Sequence, residues 1–211
     1  MKTRFFNLIM IIIFVTFSAG TVHAAGEQEL ITILQSSAGA VEKCAACQQL
    51  RIYGTVQSVP ALAALLGEKR VGHAARYALE SIPGPEATAA LRKALAKTSG
   101  PIKAGLINSL GWRRDAESVP LLVPLMSDAD AAIAKETASA LGRIGDEKSV
   151  AALIAARENS NPTVRLAVAE ALLNCAENRL SAGDDSGAAA LYGDLYNAEV
   201  PPAIRTAAWR G

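Results

Sequence analysis

The chain has 211 residues, of which 51% are hydrophobic and 5% aromatic, with a formal net charge of +1. So balanced a charge, with its basic residues scattered, leaves no electrostatic footprint for nucleic acid or an anionic membrane. Plentiful alanine, few aromatics and no long apolar/polar alternation argue for helices over strands.

Residues 1–24 have the layout of a secretory signal. Lys2 and Arg4 form a basic start, the run from Phe5 to Phe17 is almost entirely apolar, and Val22-His23-Ala24 makes a small-residue cleavage site. That run falls short of the roughly 20 residues needed to span a bilayer. Cleavage is expected after Ala24, giving an exported chain, periplasmic or extracellular, with no membrane insertion afterwards. Loss of Lys2 and Arg4 keeps the mature chain close to charge balance. What remains, from Ala25 to Gly211, is long enough for one or two domains.

From there a leucine returns in constant surroundings. Leu50, Leu79, Leu110, Leu141 and Leu172 recur at a nearly constant step of about 30 residues, the length of a stacking repeat unit. At one fixed offset past each of the first four lie Val59, Thr88, Val119 and Val150, and one helical turn further come Leu62, Leu91, Leu122 and Leu153. A repeat of this length cannot bury its own apolar face, so units must stack. The pattern predicts an all-α, right-handed solenoid of helix pairs over residues 25–211, with units at about 27–54, 55–83, 84–114, 115–145, 146–176 and 177–211.

The first unit carries Cys44-Ala45-Ala46-Cys47, two thiols at i, i+3 on one helix face. They read either as a redox or metal pair or as small core hydrophobes. The other thiol, Cys175, and the sole mature histidine, His73, lie far along the chain, so four zinc ligands do not come together. The second unit places His73 beside Arg76, Tyr77 and Glu80, a cluster explained by an Arg76–Glu80 pair at i, i+4.

The unit 115–145 shows the plan most fully. Asp115 and Ser118 are N-cap donors, Val119, Leu122, Val123 and Met126 form the first apolar stripe, and Pro124 kinks or shortens that helix. Ser127 to Asp130 make the turn. Ile133, Thr137, Ala138 and Leu141 line the second helix, and Gly142 and Gly145 flank its exit. Other second helices open on Pro101-Ile102-Lys103, Asn161-Pro162-Thr163-Val164-Arg165 and Pro202-Ala203-Ile204-Arg205.

These openings, the run Ala138-Ser139-Ala140-Leu141-Gly142-Arg143-Ile144-Gly145-Asp146 and the pairs Ser58-Val59, Ser118-Val119 and Ser149-Val150 resemble HEAT repeats, of the short type called phycobilisome-lyase HEAT-like repeats. The resemblance covers roughly residues 41–173. It implies that second helices line the concave face, and that Lys103, Lys135, Arg165 and Arg205 form a structural ladder with Asp130 and Asn161. Between Arg165 and Arg205 the step is longer than elsewhere, and the added part, with Leu191, Tyr192, Leu195 and Tyr196, resembles a tetratricopeptide-like unit. The last unit, ending at Gly211, reads as atypical and incomplete.

The sequence contains no nucleophile elbow, phosphate-binding glycine loop or paired-histidine metal motif. The expectation is therefore a non-catalytic scaffold without cofactor or metal, holding a protein partner of unspecified identity on the concave face. Arg76, Glu80, Asn108, Lys135, Glu136 and Glu170 are the expected contact residues, as second-helix side chains outside the leucine register. The alternatives are an accessory segment of a longer exported enzyme, or a bilin-lyase-like subunit, which export disfavours.

Overall fold

The computed structural model describes residues 26–158 and 161–211; the expected signal, residues 1–24, lies outside them. Among the described residues all regular structure is helical, and no helix is long and apolar enough to cross a membrane. The chain is an all-α solenoid, and its described residues divide into two compact units with the boundary between Ala87 and Thr88.

In the first unit α1 (26–35) precedes α2 (Ala40–Tyr53), α3 (Val59–Ala64) and α4 (Gly72–Ser81). α4 packs on both α2 and α3. Leu50 and Leu79 of the register are fully buried, as is Leu62. A carboxylate ties the start of this unit together. Glu27 is buried, and its oxygens accept hydrogen bonds from the Thr55 backbone N–H at 2.7 Å and the Ser58 hydroxyl at 2.6 Å. Burial raises the Glu27 pKa, but the Ser58 and Thr55 donors outweigh it and hold the carboxyl below its ordinary value.

The second unit runs through α5 (Pro85–Leu95, which begins before the boundary), α6 (Gly100–Trp112), α7 (Val119–Leu122), α8 (Ala131–Ile144), α9 (Glu147–Ala155), α10 (Pro162–Ser181), α11 (Asp185–Asn197) and α12 (Pro202–Arg210). Its second helices stack directly, α6 on α8 and α8 on α10. Leu110 and Leu141 are fully buried and Leu172 is 2% exposed. Local chemistry fixes the ends. Asp130 and Asn161 accept from the N–H groups of Ala132 and Thr163 to cap α8 and α10. Gly145 ends α8 at φ 67° and Asp146 at once caps α9.

Pro124 acts as its chemistry requires: α7 stops at Leu122, and residues Val123–Ser127 continue as a 3-10 turn. Val119, Leu122 and Met126 still reach the core. The longer step before Arg205 goes partly into α10, which has 20 residues against 14 in α8. There the α11–α12 connection leaves a cavity of about 280 Å³ against α10, with Arg157, Arg165, Leu166, Leu195 and Val200 among its walls.

Candidate interaction surface

The second helices of the second unit approach one another most closely where their side chains are smallest. A Cβ on Gly111 of α6 would lie 2.8 Å from the Ala140 Cα of α8, and one on Gly142 of α8 would lie 2.8 Å from the Ala171 Cβ of α10. Gly111 and Gly142 hold equivalent places in successive repeats, as do Ala140 and Ala171, so one contact is built twice. Each glycine is followed by an outward residue, Trp112 and Arg143. Because the helix backbones nearly touch, those two neighbours meet: the Arg143 guanidinium lies 5.1 Å from the Trp112 ring centroid. Trp112 remains 65% exposed.

A polar chain holds the arginine in place. The Asn108 amide donates to Glu136 Oε1 at 2.6 Å, and the same oxygen lies 3.5 Å from Arg143 Nη1. The structure thus brings together two of the expected contact residues, Asn108 and Glu136, across consecutive repeats. Lys135 and Glu170 are exposed on α8 and α10.

Arg76 requires a correction. Its side chain does not face outward but is buried on α4. The reason is its register: it stands one turn after Gly72 and one turn before Leu79, both buried, so its stem joins the core stripe. Its guanidinium donates to Glu80 at 2.7 Å and to His73 Nδ1 at 3.0 Å and covers the Tyr77 ring at 4.6 Å. Glu80 is half-buried as its ion partner. Asp130 and Asn161 cap their own helices, while Arg92 pairs with Asp115 and Glu117, and Arg179 with Glu147.

Trp112 and Arg143 were not among the expected contact residues. The signal for them is the register itself, since the residues at their offset past each repeating leucine are Ile52, Ser81, Trp112, Arg143 and Asn174. Ile52 is 81% exposed, and Ser81 and Asn174 are exposed too.

The cysteines favour the core reading. Cys47 is fully buried, and burial, with a smaller contribution from Cys44, pushes its thiol up to about 12. Burial likewise raises Cys175 to about 11, and its thiol donates to the Gly142 carbonyl across the α8–α10 contact. Cys44 is half-exposed and donates to the Arg70 carbonyl at 3.6 Å. Neither buried thiol is a nucleophile at neutral pH. Among the described residues no three His, Cys, Asp or Glu side chains are grouped to hold a metal ion.

No curated protein matches the chain. Among solved structures it is similar to two engineered proteins from the Northeast Structural Genomics Consortium, each at 22% identity and a TM-score of 0.50. The match covers 87% of this chain and 94% of the first, and 90% of this chain but 57% of the second; identity this low shows the fold alone. The profile of the HEAT repeats family matches residues 96–173. The segment that carries the Trp112–Arg143 surface therefore lies within the stretch that is similar to HEAT repeats, in an all-α solenoid.

Proposed function

We propose that this chain is an exported, non-catalytic scaffold that holds a protein partner on its second-helix surface, with Trp112 and Arg143 at the centre of contact. The carrying observation is the exposed Trp112 ring with Arg143 stacked on it and oriented by Glu136 and Asn108. Tryptophan and arginine are the residue types that dominate binding energy at protein interfaces, and fixing them beforehand lowers the ordering cost of association. The set supplies contact area and donors; it contains no nucleophile beside a base. Export rests on the basic start, apolar run and small-residue site of residues 1–24.

The test is in-cell cross-linking with a photoreactive group at the exposed Asn174, followed by purification from the exported fraction. A defined partner should be captured, and Trp112→Ala with Arg143→Ala should abolish its capture while Lys148→Ala preserves it. Capture indifferent to the double substitution overturns the binding surface. Material beginning at Met1 rather than Ala25 overturns export.

A further inference from the structure

Three arginines stand next to Trp112, in space or in sequence. Arg143 lies over its ring, and Arg113 and Arg114 follow it directly at the end of α6. Arg113 is tied back, its Nε donating to the Thr88 hydroxyl at 2.9 Å. Arg114 is exposed. The neighbouring carboxylates are engaged within the fold: Glu136 by Asn108 and Arg143, Asp115 and Glu117 by Arg92 at 2.6 and 2.7 Å. Arg143 Nη1 is buried and lies 3.5 Å from Glu136 Oε1, a distance at which it pairs by charge without a formed hydrogen bond.

Arg114 adds a second, independent feature. It sits at φ 50°, the one non-glycine residue with positive φ among those described. Its N–H bonds the Gly111 carbonyl at 3.0 Å and the Asp115 N–H bonds the Leu110 carbonyl at 3.1 Å, the double closure that ends a helix in a left-handed residue. One repeat further on, the same place is held by Gly145 at φ 67°. The backbone at this position favours glycine, so an arginine is held here against the local conformational preference. What the arginine supplies is an exposed cation two residues after the exposed tryptophan.

We infer that the Trp112 surface takes an acidic, apolar-containing segment of a protein partner: carboxylates engage Arg143 and Arg114, and an apolar side chain lies on the Trp112 ring. This rests on the scaffold reading above and names the chemistry of its partner. Guanidinium groups pair with planar carboxylates through two parallel donors, which suits a glutamate- or aspartate-bearing peptide. The balanced net charge of the whole chain makes the attraction local, and it supplies no extended field of the kind that binds a phosphate backbone.

The experiment uses the purified protein carrying Trp209→Phe, so that Trp112 is its sole tryptophan. The probe is a short synthetic peptide alternating glutamate with leucine, compared with its glutamine counterpart and with a single-stranded oligothymidylate. The glutamate peptide should shift Trp112 emission and bind about tenfold or more tighter than the glutamine peptide, with added salt weakening it. Arg143→Gln and Arg114→Gly should each weaken binding by roughly tenfold. Arg114→Gly should do so without lowering the melting temperature, because glycine relieves the positive φ. Equal binding of the two peptides, indifference to both arginine substitutions, or equally tight binding of the oligothymidylate overturns the inference. If these fail while cross-linking of the natural partner still needs Trp112, the scaffold reading survives and the acidic ligand does not. If cross-linking also ignores Trp112, both fall.

Discussion

Replacing Gly111 by alanine sets two opposed effects against each other. In a helix interior alanine is favoured over glycine by about 0.8–1 kcal/mol. Here the new methyl group would lie 2.8 Å from the Ala140 Cα and 2.9 Å from its Cβ, where carbon atoms prefer about 3.5–4.0 Å. The obstacle is backbone, so relief requires α6 and α8 to move apart. Overpacking of this kind costs about 1–3 kcal/mol, and the net change is a loss of up to about 2 kcal/mol. Gly193 on α11 is the matched control, because nothing lies within 4 Å of a Cβ placed there. Gly193→Ala should keep the whole helix gain. The two variants therefore differ by the overpacking cost, roughly 2–12 °C in melting temperature for a chain of this size. Thermal unfolding followed by far-ultraviolet circular dichroism reads the difference. In a Trp209→Phe background Gly111→Ala should also alter Trp112 emission, since the spacing that stacks Arg143 on the ring has changed. If the two alanine variants melted together and Trp112 emission stayed constant, the close helix contact would not be setting the surface.

Leu141→Ala should destabilise by about 2–5 kcal/mol, as truncation of a fully buried leucine does, whereas Lys148→Ala, on an exposed side chain, should stay within about 0.5 kcal/mol; urea midpoints compare them. The depressed Glu27 pKa means that its ionised form is stabilised by folding, so its contribution is present above the ordinary carboxyl value of 4.5 and lost as pH falls through the folded value. The stability gap between wild type and Glu27→Gln, measured in urea, should accordingly narrow between about pH 7 and pH 3. Of the three cysteines, Cys44 alone should react readily with a thiol reagent in the native protein under mildly alkaline conditions, with Cys47 and Cys175 reacting only after unfolding. Mass spectrometry of the labelled chain locates the adduct.

The core was legible because burial follows the register. Each repeating leucine is at most 2% exposed, and Val59, Thr88, Val119 and Val150 are buried as the spacing requires. Pro124 was legible too, since loss of its N–H acts locally. The surface was legible only in part. Asn108 and Glu136 stand outside the leucine register and meet, but whether two side chains on successive helices touch depends on the distance between those helices. That distance is set by the Gly111–Ala140 contact, which no periodicity of polar residues reveals. Arg76 shows the converse error: its charge suggested solvent, while its place between Gly72 and Leu79 put its stem in the core stripe. Position on the helix outweighed polarity because a long aliphatic stem buries well when its charged end finds Glu80.

The same repeat period does two kinds of work, and the two make unequal demands on sequence. At Gly111 and Gly142 any side chain collides with the next helix, so the position is held to glycine by packing. One residue later the helix faces out, and the equivalent positions hold tryptophan and arginine, which share no volume, charge or shape. Packing therefore fixes where Trp112 and Arg143 stand and leaves open what they are. Their identities must be explained by something other than the core, and the same holds for Arg114, where the local backbone favours the glycine that the next repeat has at 145. Three departures from repeat-to-repeat economy fall within a single repeat length, at 112, 114 and 143, two of them in direct contact. A solenoid built only to stack would have no use for an exposed tryptophan with an arginine laid across it, nor for an arginine in a left-handed turn. A surface built to hold an acidic partner segment accounts for all three.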